Sequence, residues 1–532
     1  MTAAAGGSRS TRRTVINVLT NWGAILFGMA ISFVLSPFIV HHLGDARYGL
    51  WAVLGSIIGY LGLLDFGIRQ GVTRFVARHE ATGDRDAANR LVTTALGLFS
   101  VIGVVAVVAG AVIALNLQRI VEAPSDYLHE ASVAVFVASI TVALSLVSGV
   151  YGAVIAGLQR FDLLNVIDLT CEVLRAGAMF HFVGQGGGLI TLATLQLSVV
   201  AVRGVAYVIA AHRLQPWMQV ARRFHDRMTR TEILSFSAYT FIIHASVMVL
   251  FSADALVIAA IMPITQVVFF VIGANLTQVA MQMRSGVSNV IYPLVSSKQA
   301  SDGLGAASLL MWKSVRLSTI IVLPIVITFL TRGPTFIALW MGPRYMSTAG
   351  AVLQILALGL CVYMSYQVFG NSIIALALHK GLAPAYIAEA LLNLSLSFIL
   401  GSTLGVTGVA WGTTIPQLIM ALGFAPWFCR KALGVPAREY AMQAWIHPLA
   451  AMVPFAAASF LIDRTWTAPN LYYFFGQVAI TIPLAIVGSW IFGLQPDERD
   501  RLRGWLGASV LRRVRRQVDA GTRGEVTQFR SL

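Results

Sequence analysis

Few residues in this chain could do ionic or proton chemistry within apolar surroundings, and they sit on a handful of stretches. The densest group is Gln278, Gln282, Arg284 and Asn289. Spacings of 4 and then 7 residues place Gln278, Gln282 and Asn289 on roughly one polar face of a helix. Arg284 adds a delocalised, forked cation suited to bidentate contact with an oxyanion. Asp168, Glu172 and Arg175 share a second stretch, where the i,i+3 spacing of Glu172 and Arg175 brings a carboxylate and a guanidinium together, either as a neutralised structural pair or as a working site. Arg203 lies about two turns from the end of its apolar segment, where snorkelling competes with ligand contact. Asp65 and Arg69, four residues apart, read as a gate or clamp. His244, beside Ser246 and three residues from Phe241, is either a proton sensor or a histidine hydrogen-bonded to a neighbour. Asp254 and the glutamates Glu172 and Glu389 are further candidates for holding a coupling ion.

Other patterns lead nowhere. Cys171, Cys361 and Cys429 lie far apart without a CxxC or a Cys/His cluster, which predicts neither a disulfide nor a metal site. Gly184-Gln185-Gly186-Gly187-Gly188 lacks the Lys-Ser/Thr of a phosphate loop and reads as a tight turn. Asp84-Arg85-Asp86 mimics a metal-binding DxD but has no nucleotide-sugar domain around it, so a solvated turn is expected. No cofactor is predicted.

The elements that must position these groups are apolar helices. Of 532 residues, 57% are hydrophobic and 11% charged, whereas soluble domains carry about 25% charged residues. Roughly 300 apolar residues could supply about fourteen crossings at about 20 residues each. The runs are too long and unbroken for barrel strands. Ionisable groups retained at membrane depth, where each costs at least about 2.5–3.5 kcal/mol, usually face a cavity or a partner. The predicted fold is therefore an all-α polytopic membrane protein: a 1–14 N-terminus, six spans over 15–211, a basic loop 212–232, six spans over 233–428, two spans within 429–494, and a basic tail 495–532. No connecting segment exceeds about twenty residues, too few for an independent soluble domain.

The formal charge of +15 follows from topology rather than from a nucleic-acid partner. With both termini cytoplasmic, Arg9, Arg12, Arg13, the loop arginines of 69–90 and 213–230, Lys298, Lys313, Arg316, Arg430, Lys431 and the nine arginines after Leu494 share one side. Only Arg47, Arg119, Arg332, Arg344 and Arg464 fall on the other, as the positive-inside rule requires. In the tail, Leu502, Leu506, Val510, Val514 and Val518 recur every four residues among arginines, an amphipathic helix suited to an anionic membrane surface.

The chain also repeats itself. At one constant offset Glu172 falls on Glu389, Leu174 on Leu391, Gly184 on Gly401, Gly188 on Gly405 and Ala193 on Ala410. At a closely similar offset Ala81, Ala87 and Ala88 fall on Ala300, Ala306 and Ala307. Two parallel, pseudo-symmetric six-helix lobes related by an axis along the membrane normal are expected, with a site between them near mid-membrane.

Several motifs carry a family resemblance: Leu35-Ser36-Pro37, Leu43-Gly44, Tyr48-Gly49-Leu50-Trp51 and Leu63-Leu64-Asp65-Phe66-Gly67-Ile68, then Asp254, Tyr292-Pro293 and Gly405-Val406-Thr407-Gly408-Val409-Ala410-Trp411. With them the chain resembles the multidrug/oligosaccharidyl-lipid/polysaccharide superfamily and, within it, the polysaccharide exporters or lipid-linked oligosaccharide flippases. Val267-Val268-Phe269-Phe270 departs from the Gly-x-Tyr that many members carry. The resemblance implies a non-enzymatic, alternating-access flippase moving a polyprenyl-diphosphate-linked oligosaccharide across a bacterial inner membrane for surface polysaccharide synthesis. Its implied partners are that substrate, membrane lipids and the polymerase and export machinery. Arg284, Gln282, Gln278, Arg203 and Arg175 are then the expected substrate contacts, Arg284 at the diphosphate, while the lipid tail can stay in the bilayer. Glu172, Glu389, His244, Asp254, Asp65 and Arg69 are left for ion coupling or gating. A drug/cation antiporter would need a largely acidic or apolar pocket. A membrane glycan polymerase or ligase would need a substantial outer catalytic loop, and those around 118–130 and 463–470 are short; an assembly scaffold is a fourth reading.

Overall fold

The computed structural model describes residues 3–121, 124–376, 382–496, 498–500 and 503; within the helices, the side chains of 3–22, 24–25, 232–240, 242–244, 251, 284–294 and a few others fall outside the description. Every regular element among the described residues is helical. In chain order these are α1 (Ala3–Gly62), α2 (Ile68–Thr82), α3 (Arg85–Ile120), α4 (Ser125–Gly157), α5 (Phe161–Gly184), α6 (Leu189–Leu214), α7 (Arg227–Ile261), α8 (Thr265–Met341), α9 (Thr348–Ala375), α10 (Leu382–Leu404), α11 (Val406–Ile419), α12 (Ala425–Leu433), α13 (Ala437–Ala441), α14 (His447–Thr465) and α15 (Leu471–Gly488). Single π turns join α11 to α12 and α13 to α14.

The two longest helices are broken by glycines. A straight helix of 60 residues would reach about 90 Å, three hydrocarbon thicknesses. In α1 the break falls at Gly44 (φ 75°, ψ 166°), a backbone region open essentially to glycine alone. The 77-residue α8 breaks likewise at Gly303 (φ 83°).

Eleven helices among the described residues are long and apolar enough to cross a membrane. The difference from fourteen has three visible sources. Leu26–Thr82 counts once although Gly44 divides it. Helix α5 carries Asp162, Asp168, Glu172 and Arg175 and is not among the eleven, and in α7, many of whose side chains fall outside the description, Ser252–Ile261 is a shorter apolar helix. On α3, Val101, Val104, Val105, Val108, Val112 and Leu115 form an exposed apolar stripe at helical spacing, the surface that lipid covers. The chain is a multi-pass membrane protein.

Packing falls into two groups. Helix α4 packs on α3, α6 and α2, and α5 on α1 and α6; in the second group α8 packs on α9 and α14, and α10 on α7 and α11. The two are bridged by α1 against α7 and α8 and by α2 and α3 against α7. The connection between α6 and α7 is docked rather than free, with the Gln219 N–H donating to Asn89 (2.9 Å) and the Asp226 N–H to Thr94 (3.2 Å) on α3. Asp226 then caps α7 by accepting from the Thr229 N–H (2.8 Å), and the Thr229 hydroxyl and amide hold its carboxyl below the usual carboxylate range. Asp84 caps α3 through the Ala87 N–H, which accounts for the first acid of the Asp-Arg-Asp turn.

Candidate functional site

A set of adjoining chambers lies along the seam where α1 meets α7 and α8. One of about 300 Å³ is lined by Tyr48, Trp51 and Ser56 of α1, Asp254 of α7 and Asn275 and Gln278 of α8. A second, about 550 Å³, takes in Asp65, Phe66 and Gln70 together with Phe241, Met248 and Gln278. A third, about 460 Å³, lies between Ser32 and Ser36 of α1 and Asn275, Gln278, Gln282 and Trp340 of α8. Gln278 borders all three, so the expected amide face of α8 points into the seam. Arg284 and Asn289, on the continuation of that helix, and His244 have side chains outside the described residues.

Beside the third chamber is an apolar one of about 380 Å³, walled by Phe33 and Val34 of α1, Phe329 and Phe336 of α8 and Phe474 and Phe475 of α15. The two share Met29, Phe33, Leu276 and Val279. The cavity is thus amphipathic along its length, with amides and hydroxyls passing into aromatic and aliphatic surface.

The acidic candidates divide by environment. Asp254 is buried, accepting from the Thr413 hydroxyl (2.8 Å) on α11 and the Ser397 hydroxyl (3.2 Å) on α10, while the Asn393 amide donates to Thr413 (3.0 Å). Glycine at 412 permits this close approach, since a methyl there would overlap the backbone of Ser397. Glu389, Asn393 and Ser397 recur every four residues on one buried face of α10, and both Glu389 carboxylate oxygens are buried without a hydrogen-bond partner among the described residues. No cation pairs with Glu389 among the described residues. Its repeat counterpart Glu172 is held by both the Nε and Nη2 of Arg175. The repeat therefore preserves the glutamate and changes its chemistry, because position 392 is leucine where an arginine would complete the pair.

The remaining candidates also find local partners. Arg203 lies 4.0 Å from Asp168, which accepts a 2.5 Å hydrogen bond from the Tyr207 hydroxyl. Arg69 lies 3.6 Å from Asp65 and reaches the Ser145 carbonyl of α4 (3.5 Å). The turn between them holds Phe66 at φ 50°, a left-handed conformation uncommon for an aromatic residue, and presents its ring to Phe241 of α7 at 4.7 Å.

Sequence reasoning missed two features. At the Gly44 end, Asp45 accepts from the Tyr345 hydroxyl (2.6 Å) and pairs with Arg344, and the Trp340 indole N–H donates to the Phe33 carbonyl (2.9 Å). All of these bridge the two groups of helices. Burial and the bond to Asp45 raise the Tyr345 hydroxyl well above its ordinary pKa. The second feature is a pair of buried arginines on α8: Arg316 meets Glu498 and Gln443, and Arg332 meets Asp463 and Gln477. Their signal is a charge inside an apolar run; the positive-inside pattern assigns Arg316 to the cytoplasmic side and Arg332 to the opposite one without indicating a partner for either.

A helical bundle in two groups with an amphipathic cavity along the seam defines the class: a polytopic membrane transporter fold. Comparison with solved structures agrees. The lipid II flippase MurJ in an inward closed conformation superposes with a TM-score of 0.68 at 12% identity, covering 90% of this chain and 98% of that one. A multidrug resistance MATE family transporter of the MOP superfamily, inward-facing, gives 0.59 at 15% identity over 78% of this chain and 99% of its own. More particularly, the chain belongs to the family described as polysaccharide biosynthesis protein, which matches residues 15–299. A curated relative from Shigella flexneri, assigned by its name to O-antigen transport, is 22% identical over 409 residues, 75% of this chain and 94% of its own length.

Proposed function

We propose that the protein is an alternating-access flippase for a polyprenyl-diphosphate-linked oligosaccharide in a bacterial inner membrane, with both termini cytoplasmic and no enzymatic step. The observation that carries this reading is the polar chamber joined to an apolar one along a single seam. A glycan and diphosphate need hydrogen-bonding surface, a polyprenyl chain needs the opposite, and a lipid-linked sugar presents both at once. The apolar chamber offers part of the tail a place beside the polar one, while the rest stays in the bilayer. The lobes 15–211 and 233–428 rock about this seam, with the Asp45–Tyr345 end facing the periplasm. Gln278 and Gln282 contact the glycan, and Arg284, two residues further along the helix, meets the diphosphate. Arg175 and Arg203, balanced by Glu172 and Asp168, hold the first lobe together. Asp254, bordering the cavity and tied to two hydroxyls, is the favoured coupling-ion group, with Glu389 behind it and His244 as a further candidate; Asp65 and Arg69 gate the opposite end.

One observation favours a second reading, a drug or cation antiporter: the charged residues bordering the chambers among the described residues are the carboxylates Asp65 and Asp254. Depletion in host cells separates the two. Lipid-linked repeat units that accumulate out of reach of a glycan-modifying enzyme confined to the periplasm support the flippase. Unchanged glycolipids with raised drug sensitivity support the antiporter, and accessible but unpolymerised units place the protein after flipping.

A further inference from the structure

The aromatic wall of the apolar chamber is held by one buried cation. Arg332 of α8 is 1% exposed, and its guanidinium donates to Asp463 of α14 (3.5 Å) and to Gln477 of α15. The same guanidinium lies 4.4 Å from the centre of the Phe474 ring. The Thr335 hydroxyl donates to the same Asp463 oxygen (2.9 Å), and the Gln477 amide donates to the Trp466 carbonyl (2.8 Å), closing the connection between α14 and α15. A planar fork serves a carboxylate, an amide oxygen and an aromatic face at once, which a lysine ammonium does not reproduce. The wall it steadies is continuous: Phe474 lies 5.2 Å from Phe336, and Phe475 lies 6.1 Å from Phe336 and 6.2 Å from Phe33 of α1.

We propose that Arg332 is a positioning residue for the substrate's lipid tail, fixing α15 so that Phe474 and Phe475 grip the isoprenoid chain past its second unit, beyond the border with the polar chamber. The proposal rests on the flippase reading above. Because Phe33 belongs to α1 and the other rings to α8 and α15, the tail is held across the seam that must move. Binding of the tail is therefore coupled to rocking of the lobes, and a carrier too short to fill the chamber couples poorly.

The test is transport in proteoliposomes of one glycan on two carriers, a full-length polyprenyl diphosphate and a two-isoprene diphosphate. Wild type is expected to move the long carrier faster. In Arg332→Lys the long-to-short ratio falls by about threefold to tenfold, the equivalent of one mispositioned aromatic contact, with the short-carrier rate unchanged. A purely structural arginine would lower both rates together. Phe475→Ala, at a ring already half exposed, is expected to show the same fall and decides the matter if Arg332→Lys fails to fold. A ratio unchanged in both variants, or equal rates for the two carriers in wild type, overturns the proposal alone. A wild type that moves neither carrier overturns the flippase reading and this proposal with it.

Discussion

The alternating-access reading makes the hydroxyl of Tyr345 a sharp lever on the balance of closed and open states. Tyr345 is buried, the Asp45 side chain is 8% exposed, and their 2.6 Å bond joins the two groups of helices, 300 residues apart in sequence, at the Gly44 end. In the proposed rocking motion it is broken when that end opens, so its strength enters directly into the free-energy difference between the closed and open states. A hydrogen bond to a charged acceptor contributes about 1.5–3 kcal/mol. Arg344 also pairs with Asp45, but its side chain is 69% exposed, and such a pair is worth at most about 1 kcal/mol. Tyr345→Phe should therefore raise the open population about tenfold or more. The assay is labelling of a cysteine placed at Ser36, which lines the third chamber, by a membrane-impermeant maleimide added to intact cells; the three native cysteines are buried. The labelling rate should rise by that factor in Tyr345→Phe and less in Arg344→Ala. An unchanged rate at normal protein abundance would refute the assignment of this contact as a closure of the periplasmic end.

Three further outcomes are expected. Arg284→Ala abolishes glycolipid translocation at normal abundance, measured by periplasmic accessibility of the repeat units; full activity removes it from the diphosphate site. Asp254→Asn uncouples transport from its driving gradient, checked by collapsing proton and sodium gradients separately in wild type and variant; wild-type transport indifferent to both would leave Asp254 without an ionic role. Gly412→Ala drives a methyl into the Ser397 backbone and costs about 1–3 kcal/mol, read as a lowered thermal midpoint in detergent; an unshifted midpoint would mean that α10 and α11 separate freely.

What the amino-acid order determined by itself is whatever depends on local spacing. The helices are legible because a hydrophobic run of membrane length needs no distant residue to define it. Glu172–Arg175 and Asp65–Arg69 are legible because one turn of helix brings residues three or four apart together. The amide face of Gln278 and Gln282 could be read from periodicity, and the structure turns Gln278 into the seam. Partner choice across the bundle was out of reach. Asp254 finds Ser397 and Thr413 at separations of 143 and 159 residues, Arg332 finds Asp463 at 131, and Asp45 finds Tyr345 at 300. Each of these depends on which helix faces which and at what depth, and the sequence marks only that a polar group lies in an apolar run. The apolar chamber is the extreme case: Phe33, Phe336, Phe474 and Phe475 look like ordinary lipid-facing rings until α1, α8 and α15 are packed around a common space. Burial of a charge must be matched by a partner, but which partner is decided by packing, because only packing brings distant donors and acceptors within hydrogen-bonding range.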